Sequence, residues 1–311
     1  MLPERGRGEQ LNPWASMRIV WAIITLAMSG VYAPVIIELI RAWRFDSYAG
    51  HGMLVPLCSA FLLWTERARI RAAAGRGDLS GILVILLGLG ILVLGRWDES
   101  LLIRGLSIVI ALAGIVVLGF GRRCLREAAF PIGFLLLMVP LPHPVADTLT
   151  IHLQRFAAGF AGVTLDALGI QAFHTDTLIM LPNLTLRVDE GCNGLRFLIT
   201  LLTLMIPFAH GSQRDLARKI LLVALTIPAA VLANGVRIAA IGIGAHSFGP
   251  QVAVGLVHNS IAKAIWGLTL LLLMGVGLLL RRGRDRGKAP GRVPEAAMVA
   301  PTGEAHQATR S

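Results

Sequence analysis

Val188-Asp189-Glu190-Gly191-Cys192-Asn193-Gly194-Leu195-Arg196 joins a polar loop to a long apolar run that starts at Leu195. What that run is decides the fold. Similar runs, near the length of a bilayer crossing, recur along the chain on both sides of it. The whole sequence of 311 residues is 55% hydrophobic and only 15% charged, with a mean hydropathy of +0.70. A soluble domain seldom carries so little charge. The reading is therefore an all-α polytopic membrane protein, with too little sequence outside the apolar runs for a large soluble domain.

The charge balance points the same way. Lys and Arg number 29 against 18 Asp and Glu, a formal net charge of +11. In a soluble chain this would suggest nucleic acid. Here the basic residues sit in short segments between apolar runs and in the last stretch, the pattern of cytoplasmic loops. A lipid bilayer is the expected partner, and nucleic acid is not. Three cysteines, Cys58, Cys124 and Cys192, form no disulfide framework. No C-x-x-C spacing exists, so neither a metal site nor a cofactor is expected.

Taken in order, residues 1–18 are polar, basic and expected to be disordered. The apolar run after them lacks a small-residue cleavage site and reads as a retained first span, Ile19 to Ile40. A shorter run ends at Trp64. Further spans are expected over Leu79–Leu94, Leu101–Phe120, Ala128–Pro140, Leu195–Ala209, Ile220–Ile243 and Val252–Leu280. That makes about eight transmembrane helices. Thr150–Phe173 is interrupted by His152, Gln154, Arg155, Asp166 and Gln171, which are costly in lipid. It reads as a surface or re-entrant helix. His174–Asp189 alternates around Pro182-Asn183, suggesting a short extracytoplasmic hairpin. The transmembrane domain is thus placed at 19–281, followed by a disordered basic tail over 282–311.

Basic loops around Arg69, Arg123 and Arg218 and the tail from Arg281 fall on one side if the N-terminus is inside and Thr150–Phe173 does not cross. Arg41–Arg44 is the one discordant segment. In this topology Cys192 precedes a span that starts at the outer face. Arg237 lies about 27 Å up its helix from Lys219 at ~1.5 Å per residue, close to the same face. His258 opens the last descent. A thiol, a guanidinium and an imidazole thus meet at one depth. Cys with His is the usual pairing for attack on a carbonyl, and a guanidinium can hold the resulting oxyanion. Arg196 competes for the guanidinium role, because it shares a helical face with Cys192. Arg237 has a structural alternative, pairing with Glu38. His258 has one as an interface histidine. His51 either lines the site or caps a span.

At these residues the sequence resembles the exosortase/archaeosortase family of membrane-embedded cysteine transpeptidases. Tyr48-Ala49-Gly50-His51-Gly52-Met53-Leu54-Val55-Pro56 is similar to the family's Y-x-H-G-x-L-V-P stretch, with one extra residue after the tyrosine. Phe130-Pro131 to Pro140-Leu141-Pro142 is similar to its F-P…P-L-P segment. Cys192-Asn193-Gly194, Ala233-Asn234-Gly235-Val236-Arg237 and His258 resemble its C-S-G, N-x-x-R and H motifs. Asn193 stands where many members carry Ser.

The resemblance implies cleavage of a C-terminal sorting signal of the PEP-CTERM kind on exported proteins. Cys192 would form a thioester, with Arg237 and His258 beside it. Arg196, Asn193, Asn234 and His51 are the expected substrate-binding residues. The implied place is a bacterial inner membrane, with the site facing the periplasm. The competing class is a non-enzymatic transporter, or a scaffold for export of a surface polymer. That class should show inverted repeats and polar groups at mid-membrane.

Overall fold

The structure, a computed structural model, describes residues 13–182, 184–188, 194–253 and 255–287. Nine helices occur among them: α1 Pro13–Phe45, α2 Leu54–Thr65, α3 Arg67–Ala73, α4 Ser80–Trp97, α5 Leu101–Phe134, α6 His143–Ala167, α7 Gly194–Ser212, α8 Leu216–Phe248 and α9 Gly255–Gly287. Six helical stretches are long and apolar enough to cross a membrane: Trp21–Phe45, Ser80–Trp97, Leu101–Met138, Gly194–Ser212, Leu216–Phe248 and Gly255–Arg281. The expected count of about eight is not confirmed by these six, and two features account for the difference.

The first is Gly50–Thr65, apolar but shorter than the six. The second is a fold-back inside Leu101–Met138. Gly121 breaks that helix with φ 83° and ψ 169°, a conformation open to glycine and strained for other residues. A Cβ on Gly105 would stand 2.6 Å from Val139 Cγ1. On a straight helix those residues would be about 50 Å apart at ~1.5 Å per residue. The second arm therefore returns to the end where the first began. The expected basic loop at Arg122–Arg126 shrinks to a one-residue break, and the arginines become the first turns of the second arm.

Glycines also decide how α4 meets α5. Gly81, Gly88 and Gly95 recur every seventh residue on α4 and are buried on one face. Cβ atoms there would meet Leu118 N at 2.4 Å, Ala111 N at 3.0 Å and Arg104 N at 2.9 Å. The two helices are antiparallel with backbones almost touching. Such an approach suits a membrane interior, where small residues rather than hydrophobic burial hold helices together.

The α8 helix has 33 residues, about 50 Å at ~1.5 Å per residue. That exceeds a hydrocarbon core of about 30 Å, so its far half continues into a cap. There α6 runs parallel to it: Cβ atoms on Gly235 and Gly242 would meet Phe160 Cδ1 at 2.7 Å and Leu165 Cδ1 at 2.9 Å. Ala157, Ala158, Ala161 and Leu165 on α6 form a buried cluster with Ile238, Ala239, Ile179, Leu181 and Val188. The α6 helix is not among the six candidate spans. The expected hairpin is corrected to three antiparallel strands, β1 Phe173–Thr175, β2 Leu178–Leu181 and β3 Leu184–Arg187, in sequence order. The missed turn is at Asp176, whose φ of 54° is tolerated by Asp.

The two ends of the bundle differ in kind. Trp21 packs on Gly119, Gly75 N–H donates to Phe120 O, and Arg69 pairs with Glu127, all at one end. We call it the basic end. The end that carries α6 and the sheet is the cap end.

Candidate active site

Cys192 and Asn193, with Asp189, Glu190 and Gly191, lie outside the described residues. The frame around them is described. Gly194 opens α7, two residues after Cys192. A Cβ on it would stand 2.9 Å from Asn234 Nδ2 and 3.4 Å from Leu153 Cβ. The start of α7 is thus wedged between α6 and α8, and a hydrogen is all that fits there. Asn234 is 2% exposed, and its Oδ1 accepts no hydrogen bond among the described residues. Arg237 lies three residues on, on the same helical face, and is 5% exposed.

The position of His258 follows from the packing of α9. Ile265 shares a cluster with Ala230 and Phe197, and Leu273 shares the next with Leu222 and Met205. Eight residues along α9 therefore match eight along α8 in the opposite direction. Seven residues back from Ile265 is His258, and seven on from Ala230 is Arg237. The two are level to within about a helical turn. His258 is half-buried, and both its Nδ1 and Arg237 Nε are shielded from solvent. At the far end Arg218 Nη1 donates to Leu280 O at 2.6 Å, holding the register.

Arg196 and His51 meet on the other side of α7. A Cβ on Gly50 would be 3.3 Å from Arg196 Nη2, so the guanidinium lies along the Gly50 backbone. His51, next in sequence, is 6% exposed. Its Nδ1 is 3.1 Å from Tyr48 O and its Nε2 is 3.1 Å from Leu137 O. Whichever nitrogen carries the proton donates to its carbonyl. Trp43 Nε1 donates to Met138 O at 2.8 Å beside it, and the same ring covers Gly52. His51 thus ties the 3-10 turn Gly50–Met53 to the end of the α5 fold-back. Glu38, the alternative partner weighed for Arg237, pairs instead with Arg104 at 2.7 Å.

One polar cluster had no place in the sequence reading. A cavity of about 810 Å³ opens at the cap end, with Arg41, Asp46, Tyr48, Glu99, His143 and Asp147 among its walls. Tyr48 Oη donates to Asp147 Oδ1 at 3.0 Å, and Tyr48 N donates to Asp46 Oδ1 at 2.8 Å. His143 Nε2 stands 3.7 Å from Asp46 Oδ2. The available signal was the discordant Arg41, a cation away from the basic end.

The family model of the transmembrane exosortase (Exosortase_EpsH) matches residues 43–275, more than half of the chain. The chain belongs to the exosortase family. The match spans the stretch from Trp43 through α9 to Gly275, and so contains every residue of the site frame. No curated relative and no solved structure matches the chain. The exosortase is a multi-pass membrane protein. Its family implies a membrane transpeptidase acting on proteins that bear sorting signals. Among the described residues no His/Cys/Asp/Glu group could hold a metal ion.

Proposed function

We propose that this exosortase cleaves a C-terminal sorting signal on exported proteins through a thioester on Cys192. One observation carries the reading: Gly194, two residues from the thiol, packs on Asn234 one turn before Arg237, with His258 level on α9. In the proposed reaction the Cys192 thiolate attacks the scissile carbonyl carbon, and its π electrons move onto oxygen. The Arg237 guanidinium stabilises that oxyanion in a site poor in water. Collapse breaks the C–N bond, and protonated His258 gives its proton to the leaving amine. An acceptor nucleophile then attacks the thioester carbonyl, loses its proton to His258 and releases the Cys192 thiolate. Water in the acceptor's place would make the outcome hydrolysis.

In this reading Asn234 holds the start of α7, and Arg196 on its Gly50 platform faces the arriving chain. Asn193 contacts the substrate beside the thiol. His51, closed by two carbonyls, sets the platform. The concentration of arginine at the basic end supports a cytoplasmic position for that end and a periplasmic, inner-membrane position for the site.

The test is co-expression with a protein carrying a C-terminal sorting helix. Wild type is expected to shorten the substrate. Cys192→Ala and Cys192→Ser are expected to leave it full length with the enzyme still inserted. Equal processing by all three overturns the thioester. A membrane-impermeant maleimide is expected to label Asp176→Cys in intact spheroplasts; labelling only after lysis overturns the orientation.

A further inference from the structure

Apart from the site, a dense group of charges among the described residues lies on a shelf at the basic end. The α3 helix, Arg67–Ala73, tucks Ile70 against the cluster of Ala128 and Leu125. Arg67, Arg69 and Arg71 are left exposed, as are Arg76 and, after the Gly121 break, Arg122, Arg123 and Arg126. These seven arginines face three carboxylates, Glu66, Asp78 and Glu127, a formal excess of four.

Each of the three carboxylates is already engaged. Arg69 holds Glu127 at 2.6 Å and Arg122 holds Asp78 at 2.9 Å. Glu66 Oε1 is 2.8 Å from His210 Nε2 on α7. Arg67, Arg71, Arg76, Arg123 and Arg126 make no ion pair among the described residues. On the shelf Arg67 Nη1 donates to Trp64 O at 2.6 Å, and on α8 Arg218 donates to Leu280 O and pairs with Asp215.

The shelf lies at the edge of the apolar bundle. Trp64, 61% exposed, ends the apolar helix Gly50–Thr65, and the Arg67 guanidinium sits 4.6 Å from its ring centroid. Trp21 and the exposed Phe120 share this level. Aromatic rings mark the interfacial layer of a bilayer, where lipid headgroups lie. Guanidinium groups in that layer match phosphate in shape and charge.

We infer that this shelf is a docking surface for the anionic phospholipids of the protein's own membrane, held by phosphate contacts from Arg67, Arg71, Arg123 and Arg126. The inference is independent of the proposed chemistry at Cys192. Long side chains on a short helix and on the first turns of the returning arm let several headgroups bind along one rim.

The test uses the full chain in detergent micelles doped with phosphatidylglycerol or phosphatidylcholine, with bound lipid read by native mass spectrometry. Wild type is expected to retain phosphatidylglycerol in preference, and raising salt should erode that preference. Arg67→Gln, Arg71→Gln, Arg123→Gln and Arg126→Gln together should lower it by about fivefold per arginine removed. Lys219→Gln with Arg281→Gln should leave most of it. Equal retention of the two lipids by wild type overturns the inference. So does an unchanged preference in the quadruple variant. Displacement of the lipid by inorganic phosphate or RNA at low concentration would assign the shelf to a soluble anion and also overturn it. Should the quadruple variant fail to fold, the wild-type salt series still decides.

Discussion

The half built from α1 to α5 and the half built from α7 to α9 both close buried polar groups on partners, Gln213 Nε2 on Gly277 O and Thr226 Oγ1 on Leu222 O in the second, but they differ in where polar side chains gather. In the first half Tyr32 Oη donates to Ser107 O, Ser59 Oγ to Pro131 O and Trp43 Nε1 to Met138 O. Arg104 holds Glu38, and His51 is flanked by two carbonyls. In the second half Asn234, Arg237 and His258 stand near one level at the cap end, around the start of α7. In an apolar medium a polar group without a partner costs free energy, so an isolated pair acts as a fastener, while several polar side chains gathered at one level favour a site. The lesson is that a charge within the bundle is not by itself a sign of chemistry. Arg104 and Arg237 both lie in long apolar helices, and only the second is one turn from Asn234, the residue on which Gly194 packs.

The sharpest way to break this contrast is to remove each arginine in turn. Arg237→Ala is expected to lower substrate processing by about 10²–10³, as loss of an oxyanion donor does, with the inserted amount unchanged on a blot. Arg104→Leu should do the reverse. It strands Glu38, costs about 1–3 kcal/mol of stability and leaves processing per folded molecule intact, read by thermal unfolding beside the activity assay. If both variants behave alike, the division into fastening and reacting halves is wrong.

Next in size are the close helix approaches. Gly81→Ala brings a methyl within 2.4 Å of Leu118 N, and overpacking of this kind costs about 1–3 kcal/mol. Its effect should appear as a lowered unfolding temperature with unchanged turnover. Gly194→Ala, whose methyl would meet Asn234 Nδ2 at 2.9 Å, should instead slow turnover more than it lowers stability. Asn234→Asp keeps the shape but removes a donor. It is expected to cost about tenfold in processing, with a changed rate of Cys192 alkylation as the sign that the loop has shifted.

The smallest effect belongs to Asp78, outside the spans. The Ser80 backbone N–H, then the Ser80 hydroxyl, with Arg122 also contributing, hold its carboxyl below the ordinary 3.8. A pKa lowered on folding gives stability that is present above the unfolded value and lost as pH falls through the folded one. Asp78→Asn should therefore lower the unfolding temperature slightly near neutral pH and converge with wild type as pH falls through the folded value, which flattens the acid limb.

Much of this was legible in the chain. The runs that became α1, α4, α7, α8 and α9 stand out because lipid offers no partner to an open backbone, so a long apolar run must be helical. The polar interruptions at His152, Gln154, Arg155 and Asp166 kept α6 out of the set of spans for the same reason. The motifs around Cys192, Asn234, Arg237 and His258 were readable by their order. Other features were not, or only in part. The heptad of Gly81, Gly88 and Gly95 is visible in the sequence, but glycines in an apolar run do not reveal which helix they face. The turn at Asp176 hid a third strand, because three residues are too few to show alternation.

Helical class, membrane residence and the clustering of arginine at one end were determined by the sequence alone. Each depends on local composition, and the bilayer reads composition directly. The one-residue tightness of the fold-back at Gly121, the choice of Arg104 for Glu38, the seat of Gly194 on Asn234 and the level of His258 against Arg237 were decided only by tertiary structure. These depend on which faces of distant helices meet, and packing sets that choice among many apolar surfaces of nearly equal attraction.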